Sequence, residues 1–395
     1  MEEILQQSAA LLHNKQPGFH RFLHEKISWN DRLIGIKGAR GTGKTTLLLQ
    51  WLKTKDYQSG AAAYFSLDDI YFSSHSLKET LVAFHARGGK TVVLDEVHKY
   101  PEWAREIKNA YDFFPGLQVV FTGSSILDLS RQEADLSRRA VIYELPGLSY
   151  REFLAFQKGI HLPPVSLEQI LTNQLMSFFP SEFRPLAHFA EYLQFGYYPF
   201  LLENKATSSL RLKQMLRTVV EYDMAEMKDF DLRNARKMLQ LLSIIARQVP
   251  FKPNISSLSE KTGLHRSTIG NYLQFMEKAK LISLSYRSGI STSVLQKPEK
   301  IHFNNTSLLY AMGDFQSNQG SIRETFFLSQ ASVLFQVSIP EKGDFLLDDR
   351  YLFEVGGKDK TIRQIAGIPD SFAVKDQIEY GSGRFLPLWA FGFLY

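Results

Sequence analysis

Along the first 150 positions, short apolar runs alternate with stretches whose apolar residues recur at helical spacing. Arg32–Lys37, Ala61–Ser66, Thr91–Glu96, Leu117–Ser125 and Ala140–Leu145 read as strands; each is mostly apolar or β-branched. Between them Thr46–Leu52, Ser76–Ala86 and Glu102–Phe113 read as helices. Such alternation predicts an α/β fold: a parallel sheet with helices on both faces.

From Ser149 to about Gln248 no strand alternation appears. Ser149 stands three residues before Glu152, the spacing of a capping box, and Leu167–Ser177 and Arg211–Met227 carry helical apolar spacing. Tyr192–Phe200 is rich in aromatics and reads as a helix–helix core. The pattern then changes again. Ser256–Thr262, a turn at Gly263, and Ser267–Lys278 read as a helix–turn–helix, with Ile269, Tyr272, Leu273 and Met276 on one face. Leu281–Tyr286 starts a β-wing. In the last segment Ile322–Gln330 reads as a helix, Gly343–Leu347 and Tyr351–Val355 as strands, and Gln364 falls on a short helix. Phe385–Tyr395 is too apolar to sit in water and reads as a final buried strand or an interface. The expected divisions are 1–148, 149–248, 249–300 and 301–395.

Composition narrows the classes. The chain has 395 residues, room for two or three domains, and 44% hydrophobic residues. There is no Cys, which excludes a disulfide framework and any Cys-based metal site. Glu2 and Glu3 stand where a secretory leader carries lysines, and no uncharged apolar run is long enough to span a bilayer. A cytoplasmic protein without membrane contact is expected. The net charge of +5 permits contact with nucleic acid without requiring it.

The chemistry concentrates after the first strand. Gly38-Ala39-Arg40-Gly41-Thr42-Gly43-Lys44-Thr45 fits the phosphate-binding loop pattern, followed by Thr46 and an apolar helix. Its glycines let backbone N–H groups converge on a phosphate. Lys44 supplies a point charge for β- and γ-phosphates, and Thr45 a hydroxyl for Mg²⁺. Asp95 ends the Thr91–Glu96 strand, at the sheet edge where α/β folds bind ligands, and can hold the same Mg²⁺. Glu96 is placed to polarise an attacking water. Thr122, Ser124 and Ser125 end the next strand, where they either present a hydroxyl to the γ-phosphate or water, or cap the following segment.

The phosphate loop, Leu94-Asp-Glu-Val-His-Lys99, Phe121-Thr-Gly-Ser-Ser125 and Leu145-Pro-Gly-Leu-Ser-Tyr-Arg-Glu-Phe153 occur in the order found in a large family. The chain resembles bacterial and archaeal AAA-type ATPases with a conserved C-terminal domain of unknown function. The resemblance implies a P-loop NTPase sheet core, followed by a helical region, a winged-helix domain and a small α+β nuclease-like domain. It makes Gly38, Arg40, Gly41, Thr42, Gly43, Lys44, Thr45 and Thr46 the ATP/ADP-binding loop. Thr45 and Asp95 become the Mg²⁺ ligands, and Glu96 and Ser124 catalytic. Arg139 aligns with the family's arginine and stabilises phosphate charge in cis or from a neighbouring subunit; Arg138 replaces the usual glycine. Tyr197 and Phe200 stand where the family has a glycine and an acid.

Two further sites remain open. Residues 252–300 hold eight Lys or Arg against three Asp or Glu, an excess equal to the whole chain's +5. His265, Arg266, Ser267, Thr268 and Asn271 are the candidates for double-stranded DNA contact. Winged helices also serve as protein-contact modules, and both readings stand, as does self-association through an arginine acting in trans. The order Glu324, Asp344, Glu354, Gln364 is similar to restriction-endonuclease-like sites, which gather carboxylates around a metal and place a lysine two residues after the second acid. Here that residue is Gly356, with Lys358 two further on.

Overall fold

The computed structural model describes residues 1–13, 18–125, 136, 138–224, 230–247, 252–289, 297–313 and 319–395. Ser125 is thus the last described residue of its loop, and positions 225–227, the end of the expected Arg211–Met227 helix, lie outside the described residues. The chain forms two compact units, Met1–Pro146 and Gly147–Tyr395.

The first unit is built on five parallel strands: β1 (Leu33–Gly38), β2 (Ala62–Ser66), β3 (Thr91–Asp95), β4 (Gln118–Ser124) and β5 (Val141–Glu144). Their order across the sheet is β2-β3-β4-β1-β5. The interior strands are apolar because helices cover both faces; every residue of β3 is buried, whereas the edge strand β5 is half-exposed. Helices α1 (Glu2–His13), α2 (Phe22–Lys26), α3 (Lys44–Leu52), α4 (Leu77–Ala86) and α5 (Trp103–Phe113) supply the cover. Helix α5 shows why the chain folds this way: Trp103, Ala104, Ile107 and Ala110 share one face and are buried, and its charged residues lie opposite. Trp103 packs at 5.4 Å against Phe121 of β4.

β4 lies between β3 and β1 although it follows both in sequence. Its register sets Thr122 beside Ile36 and Ser124 beside Gly38. The carboxyl ends of β1, β3 and β4 therefore converge on the loop after Gly38.

The second unit begins with helical turns. The Ser149–Glu152 capping box forms in both directions. An aromatic core joins Tyr150, Phe189, Tyr192, Phe326 and Phe393, with ring centroids 4.9 to 5.9 Å apart. The Tyr192 hydroxyl donates to the Leu148 carbonyl, so the aromatic run serves packing. Helices α6 (Ser208–Thr218) and α7 (Ala235–Ala246) follow, then α8 (Ile255–Thr262) and α9 (Arg266–Lys278), joined through Gly263 at φ 64. β6 (Ile282–Ser285) and β7 (Lys300–Phe303) pair antiparallel. After α10 (Thr306–Met312) and α11 (Gln319–Ala331) comes a mixed sheet of β8 (Val337–Ser338), β9 (Phe345–Leu347), β10 (Tyr351–Gly356), β11 (Ser371–Lys375) and β12 (Phe385–Pro387), in the order β12-β11-β10-β9-β8. The apolar end is a strand only to Pro387; Leu388–Phe393 is a buried 3-10 turn, its packing set by Trp389, Phe391 and Phe393. No helix among the described residues is long and apolar enough to cross a membrane.

Candidate functional site

The loop Gly38–Thr45 is shaped by what its glycines allow. A Cβ on Gly38 would lie 2.5 Å from the Leu145 carbonyl oxygen, so only glycine lets β1 pass the end of β5 there. Gly43 caps α3 at φ 94, a left-handed conformation that side chains disfavour. With Gly43 turned this way, the N-terminus of α3 faces the loop's concavity, which suits an anion. Thr42 closes the turn by donating to the Ala39 carbonyl at 2.9 Å.

Lys44 is buried, and its ammonium donates to the carbonyls of Gly38 and Ala39 at 3.0 and 3.2 Å. The charge is thus stored against the loop's own backbone, inside the cradle a phosphate would enter. Arg40 is exposed at the loop's tip, and Thr46 is half-buried at the start of α3.

Asp95 is the hub. Its Oδ2 accepts from the Thr45 hydroxyl at 2.6 Å and from the Tyr64 hydroxyl at 2.6 Å. Its Oδ1 accepts from the Thr122 hydroxyl and from the Glu96 N–H at 3.1 Å. Glu96 N–H also approaches Thr122 Oγ1 at 3.2 Å. A buried carboxylate, 2% exposed, needs such donors. Burial, and the negative charge of Asp95, raise the Tyr64 phenol far above its ordinary pKa, so it stays a donor.

Glu96 sits in the left-handed region at φ 53 and ψ 43, unusual for a residue with a side chain. His98 follows in the turn Val97–Lys99. Its side chain is 3% exposed, and Nε2 lies 3.3 Å from Glu96 Oε2. Burial pushes the His98 pKa down to about 4, helped by the charges of Lys99, Lys44 and Arg40 and opposed by Asp95. The imidazole is neutral at physiological pH.

The structure places three further residues named from the sequence. Thr122 is the β4 hydroxyl that joins the acidic pair; Ser124, buried beside Gly38, lies at the root of the loop. Arg139 precedes β5 and stands level with Arg32, because Ile34 pairs with Val141. Six residues of strand separate that level from the loop, on the order of 20 Å. Its guanidinium pairs bidentately with Asp112 at the end of α5, at 2.9 and 3.0 Å. Within the first unit Arg139 therefore lies at the end of the sheet away from the loop.

Tyr64 and Arg21 were not singled out in the sequence. Buried Arg21 donates to the carbonyls of Thr42 and Pro146 at 2.6 and 2.7 Å, tying the loop to the exit of β5. No motif marks either residue. The one available signal is a polar residue in an otherwise apolar β2 segment, which suits a carboxyl partner on the adjacent strand.

In the second unit, Glu324 on α11, Asp344 before β9 and buried Glu354 on β10 also gather. Their partners are two lysines and, for Glu324, His302 at 3.3 Å. Lys300 of β7 bridges Glu324 and Asp344 at 3.3 Å each, and Lys360 holds Glu354 at 2.7 Å. Asp344 also accepts from Val355 N–H at 2.9 Å. Burial and the nearby Glu324 raise the Asp344 pKa; burial presses on Glu324 too, but His302 and Lys300 outweigh it and lower its pKa. Lys358 and Gln364 are exposed, so Lys360 rather than Lys358 is the lysine of this strand pair. Among the described residues no group of three or more His, Asp or Glu is arranged to hold a metal ion.

On α9, His265 caps the helix, its Nδ1 lying 3.4 Å from the Ser267 N–H and 2.8 Å from the Ser267 hydroxyl. Arg266, Ser267 and Asn271 are exposed and Thr268 half-buried, while Ile269, Tyr272, Leu273 and Met276 are buried.

Comparison with known proteins fits this geometry. Residues 30–154 match the AAA domain family, and residues 186–319 match a domain of unknown function. An uncharacterised protein of Methanocaldococcus jannaschii, MJ1637, is 29% identical over 377 residues, spanning 86% of this chain and 79% of that protein. Among solved structures, AMPPCP-bound DnaA from Aquifex aeolicus aligns with 71% of this chain and 86% of its own, at 16% identity and a TM-score of 0.29. ATP-bound NtrX from Brucella abortus aligns with 69% of this chain and 72% of its own, at 16% identity and a TM-score of 0.27. Scores this low leave the assignment resting on the domain match, the sheet order and the phosphate loop. The first unit of this chain carries an AAA-type P-loop nucleotide-binding fold.

Proposed function

We propose that the chain is an ATPase whose first unit binds and hydrolyses ATP through Gly38–Thr46, Asp95 and Glu96. The observation that carries this reading is the convergence of the Lys44, Thr45, Asp95 and Thr122 side chains at the carboxyl ends of three adjacent strands. Phosphate oxygens entering the loop would take the backbone N–H groups and draw Lys44 from the Gly38 and Ala39 carbonyls. The donor set fits Mg²⁺: a hydroxyl and a carboxylate already in contact. When bound, Mg²⁺ would be held by Thr45 and Asp95 and would neutralise charge on the β- and γ-phosphates.

Glu96 would accept a proton from water as the water oxygen bonds to the γ-phosphorus; the bond from that phosphorus to the bridging oxygen breaks, releasing ADP and phosphate. Thr122 keeps the Glu96 backbone in place. Ser124 would steady the root of the loop. Arg139 would stabilise charge only from a neighbouring subunit. Equilibrium ATP binding tests the reading: Lys44→Ala should remove it, and retained tight binding would sink the claim.

The second unit supports a regulatory output. Its helix–turn–helix, with Arg266, Ser267 and Asn271 exposed, suits a winged-helix contact with the phosphates and grooves of double-stranded DNA. A gel shift at low salt, with and without ATP, tests it against Arg266→Glu; no shift for the unmodified protein would end it. The tail reads as a structural relative of a nuclease, since Lys300 and Lys360 hold the carboxylates that a metal would need. Mg²⁺-dependent DNA cleavage lost on Asp344→Asn would overturn that.

A further inference from the structure

We propose that His98 is the positioning residue of the hydrolytic site: its buried imidazole donates Nε2–H to the Glu96 carboxylate and holds it toward the attacking water. The inference rests on Glu96 acting as the base. Three observations carry it. The main chain of Glu96 is fixed, by a left-handed turn and by its N–H against Asp95 and Thr122. Its side chain is 32% exposed, on the side from which a water would reach it. His98 stands beside it, 3% exposed, with Nε2 3.3 Å from Oε2.

The ring nitrogens supply the rest. Among the described residues neither makes a well-aligned hydrogen bond, although both are buried. A polar group kept buried in this way is costly unless a partner completes it. A neutral ring carries one proton; with Nδ1 bare, that proton is on Nε2, facing the carboxylate. The ring stays neutral because burial and the charges of Lys99, Lys44 and Arg40 disfavour its cation. A neutral donor orients a carboxylate without taking its charge, so Glu96 keeps the capacity to accept a proton. A slight swing of Glu96 closes 3.3 Å to a normal hydrogen bond, as catalytic contacts tighten when substrate binds.

Turnover of ATP by four variants tests the proposal, with ATP affinity measured alongside. Glu96→Gln should slow hydrolysis by roughly 10²- to 10⁴-fold with ATP binding kept. His98→Ala should lower kcat by roughly 10- to 100-fold with KM and ATP affinity unchanged. His98→Gln, whose amide donates from a similar position, should stay within about five-fold of the unmodified protein. In the Glu96→Gln background, His98→Ala should add no further loss. If Glu96→Gln turns over normally, the base assignment falls. If it is slow while His98→Ala turns over normally, or if the two losses multiply, the base stands and the positioning role falls. Should the cavity in His98→Ala weaken ATP binding, His98→Met fills the space without a donor, and its difference from His98→Gln decides.

Discussion

Among the described residues, the acids at the phosphate loop and those beside β10 are satisfied in opposite ways. In the first unit Asp95 is surrounded by hydroxyls: Thr45, Tyr64 and Thr122 donate to it. A hydroxyl can rotate and accept in turn, so a cation can enter between Thr45 and Asp95 at little cost. In the second unit Glu324, Asp344 and Glu354 face Lys300 and Lys360. These ammonium groups are covalently part of the chain and stay within reach of the acids. On the proposed reading the first cluster takes an exchangeable ion, whereas built-in cations stand at the second. A set of acids in the right order does not make a metal site, and what neutralises the acids decides.

The largest effect that would break this comparison is at Asp95. Asp95→Asn should lower ATP hydrolysis by about 10³-fold, or about 4 kcal/mol of barrier, because it removes the charge facing Thr45. Steady-state phosphate release checks it, and near-normal turnover would mean that the open cluster is not the metal side of the site. Next comes Lys300→Met, which strips the shared cation from two largely buried carboxylates. Removing one partner of a buried pair costs on the order of 3 kcal/mol or more, so the melting midpoint of the second unit should fall while ATP affinity stays. Unchanged melting would show the cluster to be satisfied some other way.

A smaller effect comes from His98. Its folded pKa of about 4 lies below the ordinary 6.5, so the unfolded chain takes up a proton first as the pH falls. Stability linked to this ring is full above pH 6.5 and drains away toward pH 4, by up to about 3 kcal/mol. Denaturant midpoints across that window should fall less in His98→Gln than in the unmodified protein. The smallest effect is expected at Arg139. Its pair with Asp112 is partly exposed, so Arg139→Ala should cost about 0–1 kcal/mol of stability. It should leave hydrolysis by isolated monomers unchanged; a loss that appears only when subunits associate would support action in trans.

The sequence showed the sheet of the first unit almost residue by residue, since each strand is a short apolar run ending in small or acidic residues. Thr45 and Asp95 were legible because a loop motif and a strand end fix them locally. Thr122 was legible only as one of three hydroxyls, with Ser124 the one expected to be catalytic, because the choice among them depends on the register of β4 against β1 and β3. Tyr64, Arg21, Lys300 and Lys360 were not legible. Tyr64, Arg21 and Lys300 meet their partners across 21 to 125 residues, so no local spacing records the contact. Lys360 meets Glu354 only because the chain turns back after β10. Whether Arg139 acts in cis or in trans was not legible for a related reason: a motif gives position along the chain, but strand direction decides which end of the sheet a residue occupies.

The central claim is that the phosphate loop is the nucleotide site and that the lysine-closed cluster is not. Equilibrium binding of a fluorescent ATP analogue with Mg²⁺, compared for the full-length protein, Lys44→Ala and Asp344→Asn, tests it most directly. Binding should fall by roughly 100-fold or more in Lys44→Ala and stay within about two-fold in Asp344→Asn. Tight binding retained by Lys44→Ala, or lost in Asp344→Asn, would contradict the account.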